Sequence, residues 1–227
     1  MPEDVMWQIF GGLFKSPVFW GVILLVVVSG IFSVYLPRIK GRIGESRVNS
    51  TIVRGLDRGV YHLIPDIYLP AGEGTTQVDH VVVSRYGVFV IETKNYSGWI
   101  FGKEKDKQWT QSLNKHTKNR FQNPLRQNYK HTKTLAELTG IPEELLVSMV
   151  VFVGDATIKT EMPANVMYVR DLVKFIEGHD EVVIQDGQVL EIVDTISAWT
   201  KTVSEKQRKG HAARLKGRTE ASKAGTE

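Results

Sequence analysis

TQVDHVVVSRYGVFVIETKNYSG, residues 76–98 of a 227-residue chain, reads as two apolar strands joined by a tight turn. Val81, Val82 and Val83 in the first arm, and Val88, Phe89, Val90 and Ile91 in the second, are β-branched or aromatic. Arg85, Tyr86 and Gly87 supply the turn between them. Polar chemistry interrupts both arms: Asp79 in the first, and Glu92 followed two residues later by Lys94 in the second. Side chains alternate along a strand, so Glu92 and Lys94 share a face. Carboxylates on neighbouring strands are costly to bury unless a cation or water serves them, and the pattern points to a metal site at a sheet edge or cleft.

A chain of this length suits one globular domain with appendages, and a hydrophobic content of 42% is enough for a core. The absence of cysteine excludes disulfides, thiolate zinc sites and cysteine nucleophiles, and is consistent with a reducing compartment. The net charge of +4 is unevenly placed. From residue 201 onward there are eight Lys or Arg against three Glu, leaving 21 against 22 in the rest. The excess therefore belongs to a basic tail over 204–227, whose composition predicts disorder.

After a short segment over residues 1–17, residues 18–36 (VFWGVILLVVVSGIFSVYL) carry no charge over about 19 positions, long enough for a transmembrane helix. Trp20 and Tyr35 near its ends suit the interfacial belt. Arg38, Lys40, Arg42 and Arg47 follow it, whereas Glu3, Asp4 and Lys15 precede it. That bias predicts a single-pass protein of the cell membrane, membrane-bound through residues 18–36, with its C-terminal domain in the cytoplasm.

Further along, residues 41–56 have near-helical apolar spacing and predict a first soluble helix bearing Glu45. Residues 60–70 read as a strand, which Pro65 assigns to an edge, bulge or break. Residues 99–101 form another short strand before a charged turn over 102–107. A helix runs from Pro124 through Leu138, ended by Gly140 and Pro142. The uninterrupted apolar run 145–153 predicts a strand buried on both faces. A strand over 165–169, a helix over 171–177, a marginal strand over 181–184 and a final helix over 188–203 complete a C-terminal α/β extension over 154–203 that packs on the core. Between Lys103 and Lys133 nine Lys or Arg face only Glu104 and Asp106, with Trp109, Phe121 and Tyr129 interleaved. Nucleic-acid contact is one reading of this segment, with lysines on phosphates and Trp109 or Tyr129 on bases. A solvated basic face is the other.

Helix, three strands, helix, strand, with Asp on the second strand and Glu-x-Lys on the third, is an order that resembles the PD-(D/E)XK nuclease core. GRIGE at 41–45, TQVDHVVVS at 76–84, GVFVIETKNYSG at 87–98, Trp109 and NPLRQNYKH at 123–131 look more narrowly like the NERD, or nuclease-related, domain, over residues 41–153. The resemblance implies an α/β, restriction-endonuclease-like core, a mixed central sheet flanked by helices, here preceded by one transmembrane helix. It also implies hydrolysis of DNA or RNA phosphodiester bonds with Mg²⁺ or Mn²⁺.

On that reading Asp79 and Glu92 are metal ligands, because a divalent cation neutralises phosphate and lowers the pKa of attacking water. Lys94 orients the water or stabilises the transition state. The resemblance adds Glu45 as a supporting metal ligand and Gln127 as a polar contact from the following helix. His131, four residues from Gln127 and on its face, is a weaker candidate, and His80 and His131 otherwise read as structural or solvent-facing. Two other functions stand beside the nuclease: a catalytically inactive domain that binds nucleic acid, and a membrane-tethered domain that recruits a partner.

Overall fold

The computed structural model describes residues 16–71 and 74–202, and the side chains of 31–34, 37–38 and 71–75 are outside the description. Almost all of the N-terminal segment over 1–17 and the whole basic tail over 204–227 fall outside the described residues. Two compact units divide between Ile43 and Gly44.

In the first unit the described backbone is helical from Pro17 onward, and this is the start of helix α1 (Pro17–Gly55). The sequence predicts a membrane span and a separate soluble helix, whereas the structure has one continuous element. The membrane helix expected at 18–36 is not borne out: among the described residues no helix is long and apolar enough to cross a membrane. Residues 31–34 of the expected span lie outside the described side chains.

The second unit is α/β. A five-stranded sheet has the order β1-β2-β3-β7-β9, built from β1 (His62–Ala71), β2 (Gly74–Ser84), β3 (Gly87–Asn95), β7 (Leu146–Val153) and β9 (Val166–Tyr168). The first three strands run antiparallel, and β7 joins β3 and β9 in parallel, so the sheet is mixed. Pro65 lies on the edge strand β1, as its missing N–H requires, and is followed by Asp66 at φ 52°. The hairpin at Gly87 forms as the sequence predicts. Gly87 takes φ 138°, a value that residues bearing a β-carbon rarely adopt.

Helices cover both faces of this sheet. On one side, Val48, Ile52 and Leu56 of α1 and Leu172 and Ile176 of α3 (Leu172–Glu177) bury Val82, Phe89, Ile91, Met149 and Val151. On the other, Leu135 and Ala136 of α2 (Pro124–Thr139), with Val189 and Ile196 from a helix over 186–202, bury Val81, Val83, Val88 and Val90. Burial on both faces explains why β3 and β7 are nearly unbroken apolar runs. The marginal strand expected at 181–184 is irregular; the amides of Val183 and Ile184 both donate to the Arg85 carbonyl.

The strand expected at 99–101 forms, and it joins three strands that the sequence reading left out, two of them in the basic segment. Strands β4 (Gly98–Phe101), β5 (Gln108–Ser112), β6 (Lys118–Gln122) and β8 (Ala156–Ile158) form a second sheet of order β6-β5-β4-β8. Its inner face packs Ile100, Trp109 and Phe121 against Val150 and Phe152 of β7. Trp109 is wholly buried, lies parallel to Phe152 at 6.3 Å and donates its Nε1–H to the Lys103 carbonyl. It is core, and this corrects the expectation that Trp109 stacks on bases.

Candidate active site

Strand parity sets the first part of the site. Val88, Val90, Glu92 and Lys94 alternate onto the α2 side of β3, and Val81 and Asp79 onto the same side of β2. The antiparallel register pairs His80 with Ile91, which brings Asp79 level with Glu92 one step further along. Here the apolar pattern stops, and the two carboxyls lie at the open end of the hairpin. Asp79 Oδ2 accepts the Thr93 backbone N–H at 2.7 Å, which fixes its carboxyl across the strand pair.

Helix α2 supplies the second part, and local chemistry fixes where it begins. Asn123 caps it by accepting the Leu125 N–H, and Pro124 occupies the first turn, where its missing N–H costs nothing. The Asn123 amide also donates to the Glu104 and Asp106 carbonyls, which ties the turn before β5 to the helix start. Gly140 ends the helix at φ 69°. One turn further in, the fully buried Asn128 donates to the Val90 carbonyl, Ser148 Oγ and the Met149 carbonyl, and so pins α2 over the junction of β3 and β7. Gln127 and His131 flank that pin and project onto β3.

Lys94 Nζ donates to Glu92 Oε1 and, at 3.1 Å, to Gln127 Oε1. His131 Nδ1 stands 3.4 Å from Glu92 Oε2, and its Nε2 is 2.9 Å from Thr76 Oγ1. The 3.4 Å contact is long for a hydrogen bond, and neither Glu92 Oε2 nor His131 Nδ1 has another partner among the described residues. Burial alone would raise the Glu92 carboxyl. The contacts with His131 and Lys94 outweigh it and hold Glu92 below the usual carboxylate range. Asp79 goes the other way: burial first, then the negative charge of Glu92, push it up to about 7 against the pull of the Thr93 N–H. Two adjacent carboxyls thus differ in protonation near neutrality, a division of roles that acid–base and metal sites both use.

Glu45 sits on α1 at the margin of this cluster, near enough for its charge to raise Asp79 further. Gly44 makes that approach possible: it is buried, and a β-carbon there would fall 2.7 Å from Asn95 Cβ. Even so, no group of three or more His, Asp or Glu among the described residues is arranged to hold a metal ion. His80 lies on the opposite side of β2, where its ring bonds the backbone of Glu45 and burial pushes the imidazole down to about 4. It is structural. His131 is not solvent-facing but built into the cluster. Thr76 and Asn128, which the sequence reading passed over, are its supports; the one available signal was Asn128 beside Gln127 within a helix that carries His131 one turn on.

These features define an α/β domain of mixed sheets between helices, with a buried carboxylate, lysine and histidine cluster at the end of the central hairpin. The chain belongs to the nuclease-related domain family: the family model, "NERD: Nuclease-related domain", matches residues 40–153. It is also 36% identical over 182 residues to an uncharacterized protein of Bacillus anthracis, a match spanning 77% of this chain and 84% of that protein.

Proposed function

We propose that this protein is a metal-dependent nuclease with a restriction-endonuclease-like site, hydrolysing phosphodiester bonds of DNA or RNA. One observation carries the reading: Asp79, Glu92 and Lys94 converge on one face, with Gln127 and His131 fixing the last two. A structural ion pair would not need a second buried carboxyl pushed up to about 7 beside it.

The donor set fits a small divalent cation. Glu92 Oε2 is a buried oxygen with no hydrogen bond, and a cation shared with Asp79 would relieve the repulsion that raises Asp79. Asp79 and Glu92 would hold Mg²⁺ or Mn²⁺ together with waters, and Glu45 would support them from the margin. Such an ion supplies charge for the phosphate and an acidified water as nucleophile. The protein's own part is positional. Glu92 and Gln127 aim the Lys94 ammonium, which orients the attacking water or meets negative charge developing on phosphorus-bound oxygen. His131 keeps Glu92 ionised, and Thr76 holds the His131 ring.

The domain is held at the cell membrane through residues 18–36, facing the cytoplasm. This rests on the uncharged stretch, its basic C-terminal flank, and the exposure of Val18, Trp20, Leu24, Leu25 and Val26 on the helix. Recovery of the full-length protein in carbonate-washed membranes tests it; release into the wash removes it.

The deciding experiment is cleavage of DNA and RNA by the full-length protein with Mg²⁺ or Mn²⁺, beside Asp79→Ala and Lys94→Ala. Metal-dependent cutting lost in both folded variants is the expected result. A parent that binds nucleic acid without cutting, or variants that cut equally well, would leave the inactive binding domain or the partner-recruiting domain in its place.

A further inference from the structure

The second sheet has an outer face that the carboxylate cluster does not use. Ile100, Trp109 and Phe121 point inward, so alternation places Trp99 and Phe101 outward, 53% and 37% exposed. The register carries two rows across this face: Thr157, Trp99, Ser112 and Lys118 in one, and Phe101, Thr110 and Arg120 in the next. Lys159 sets its Nζ 5.0 Å from the centre of the Trp99 ring. No Asp or Glu lies on the four strands.

We propose that this face binds single-stranded nucleic acid, with bases on Trp99 and Phe101 and phosphates on Lys118, Arg120 and Lys159. The consequence that single strands are the substrate class rests on the nuclease reading above. Two positions along a strand separate the aromatic side chains by about 6.8 Å, twice the spacing of stacked bases, which suits an extended strand with its bases turned onto separate rings. A duplex keeps those base faces inside its own stack. The cations complement phosphate, and no carboxylate on the four strands opposes it. The track also leads to the site: Arg120 and Gln122 share a side of β6, and Gln122 lines a cavity of about 460 Å³ together with Tyr129, Lys130, Gln127 and His131.

Full-length protein carrying Lys94→Ala, titrated into fluorescein-labelled oligothymidylate, oligouridylate and a duplex of equal length, tests the face without turnover. Single strands are expected to bind at least about tenfold more tightly than the duplex, and Trp99→Ala and Phe101→Ala each to weaken single-strand binding by about tenfold. Trp99→Phe, which keeps a ring, retains most of the affinity, and Arg120→Ala lowers the salt dependence by about 0.7 in log–log slope. Equal affinity for the duplex overturns the proposal. So does a neutral Trp99→Ala, or Trp99-dependent binding to anionic vesicles in place of oligonucleotides. The two readings fail differently. A parent with Lys94 intact that binds single strands through Trp99 but cuts nothing keeps this face and loses the nuclease. A parent that cuts, with Trp99→Ala cutting single strands equally well, keeps the nuclease and loses this face.

Discussion

His131 Nδ1 faces Glu92 Oε2 at 3.4 Å across the interface of α2 and β3, and their side chains are only 5% and 3% exposed. Neither atom has another partner among the described residues, so each depends on the other. Removing one member of a buried polar pair costs more than the pair is worth, because the remaining group keeps its desolvation penalty.

His131→Phe is therefore expected to destabilise the domain by about 1–3 kcal/mol at pH 7. Glu92 is held below its ordinary value, so its ionised form stabilises the fold above the unfolded pKa and loses that contribution as pH falls through the folded one. With the ring gone the Glu92 carboxyl rises, and acid unfolding begins at a higher pH. Urea melts of parent and variant from neutral to acid pH check both the size and the direction.

Asp79 carries the opposite sign. Its folded value of about 7 lies above the unfolded 3.8, so the native state binds the extra proton. Stability falls as pH rises between the two values and stays reduced above the higher. Asp79→Asn keeps an oxygen for the Thr93 N–H and removes the charge. It is expected to gain about 2 kcal/mol at pH 8 and to flatten the pH dependence between roughly 4 and 7. On the proposed function, added Mg²⁺ raises the melting temperature of the parent and leaves the variant unmoved. Thermal melts with and without the cation read both effects.

Asn128 spans two strands from one helix position, and its amide serves the Val90 and Met149 carbonyls. Asn128→Ala leaves those acceptors and Ser148 Oγ without that donor and opens a cavity under α2. A loss of about 2–4 kcal/mol is expected. On the proposed function, because Gln127 and His131 ride on the same turn, cleavage should fall even under conditions where the variant remains folded. Activity measured well below the melting temperature separates the two consequences.

Gly44 tests the margin of the site. A β-carbon at 2.7 Å from Asn95 Cβ meets an atom next to the backbone rather than a flexible tip, so α1 or the end of β3 has to move. Gly44→Ala is expected to cost about 1–3 kcal/mol by overpacking, despite the better helix propensity of alanine. If Glu45 supports the cation, the variant also needs more Mg²⁺ for half-maximal cleavage. A metal titration of activity, run beside Glu45→Gln, shows whether the two changes act through the same carboxylate.

Much of the central sheet was legible because its signals are local. Alternation alone places Glu92 beside Lys94, Gly87 marks the turn, and the apolar run ending at Val153 announces a strand covered on both faces. Pro65 limits its strand to an edge, bulge or break, and the sheet order makes it the edge. The helix from Pro124 to Thr139 is announced by its cap and its closing glycine. Of the second sheet only the short strand over 99–101 was legible. Its strands are short, β5 and β6 are largely polar, and β4 finds its parallel partner β8 more than fifty residues away. Trp109 misled for the same reason: among lysines it looks like a surface ring, and only the packing of that sheet on Phe152 buries it.

The sequence by itself determined which residue types share a face, since strand parity follows from covalent geometry, and its motifs carry the family resemblance. Tertiary structure alone decided that His131 and Thr76 close around Glu92, that Asp79 is pushed up to about 7, and that Glu45 comes to the margin through Gly44. Those properties depend on how far α1 and α2 stand from the sheet. That distance is set by side chains meeting across long stretches of chain, and burial then makes each neighbouring charge count.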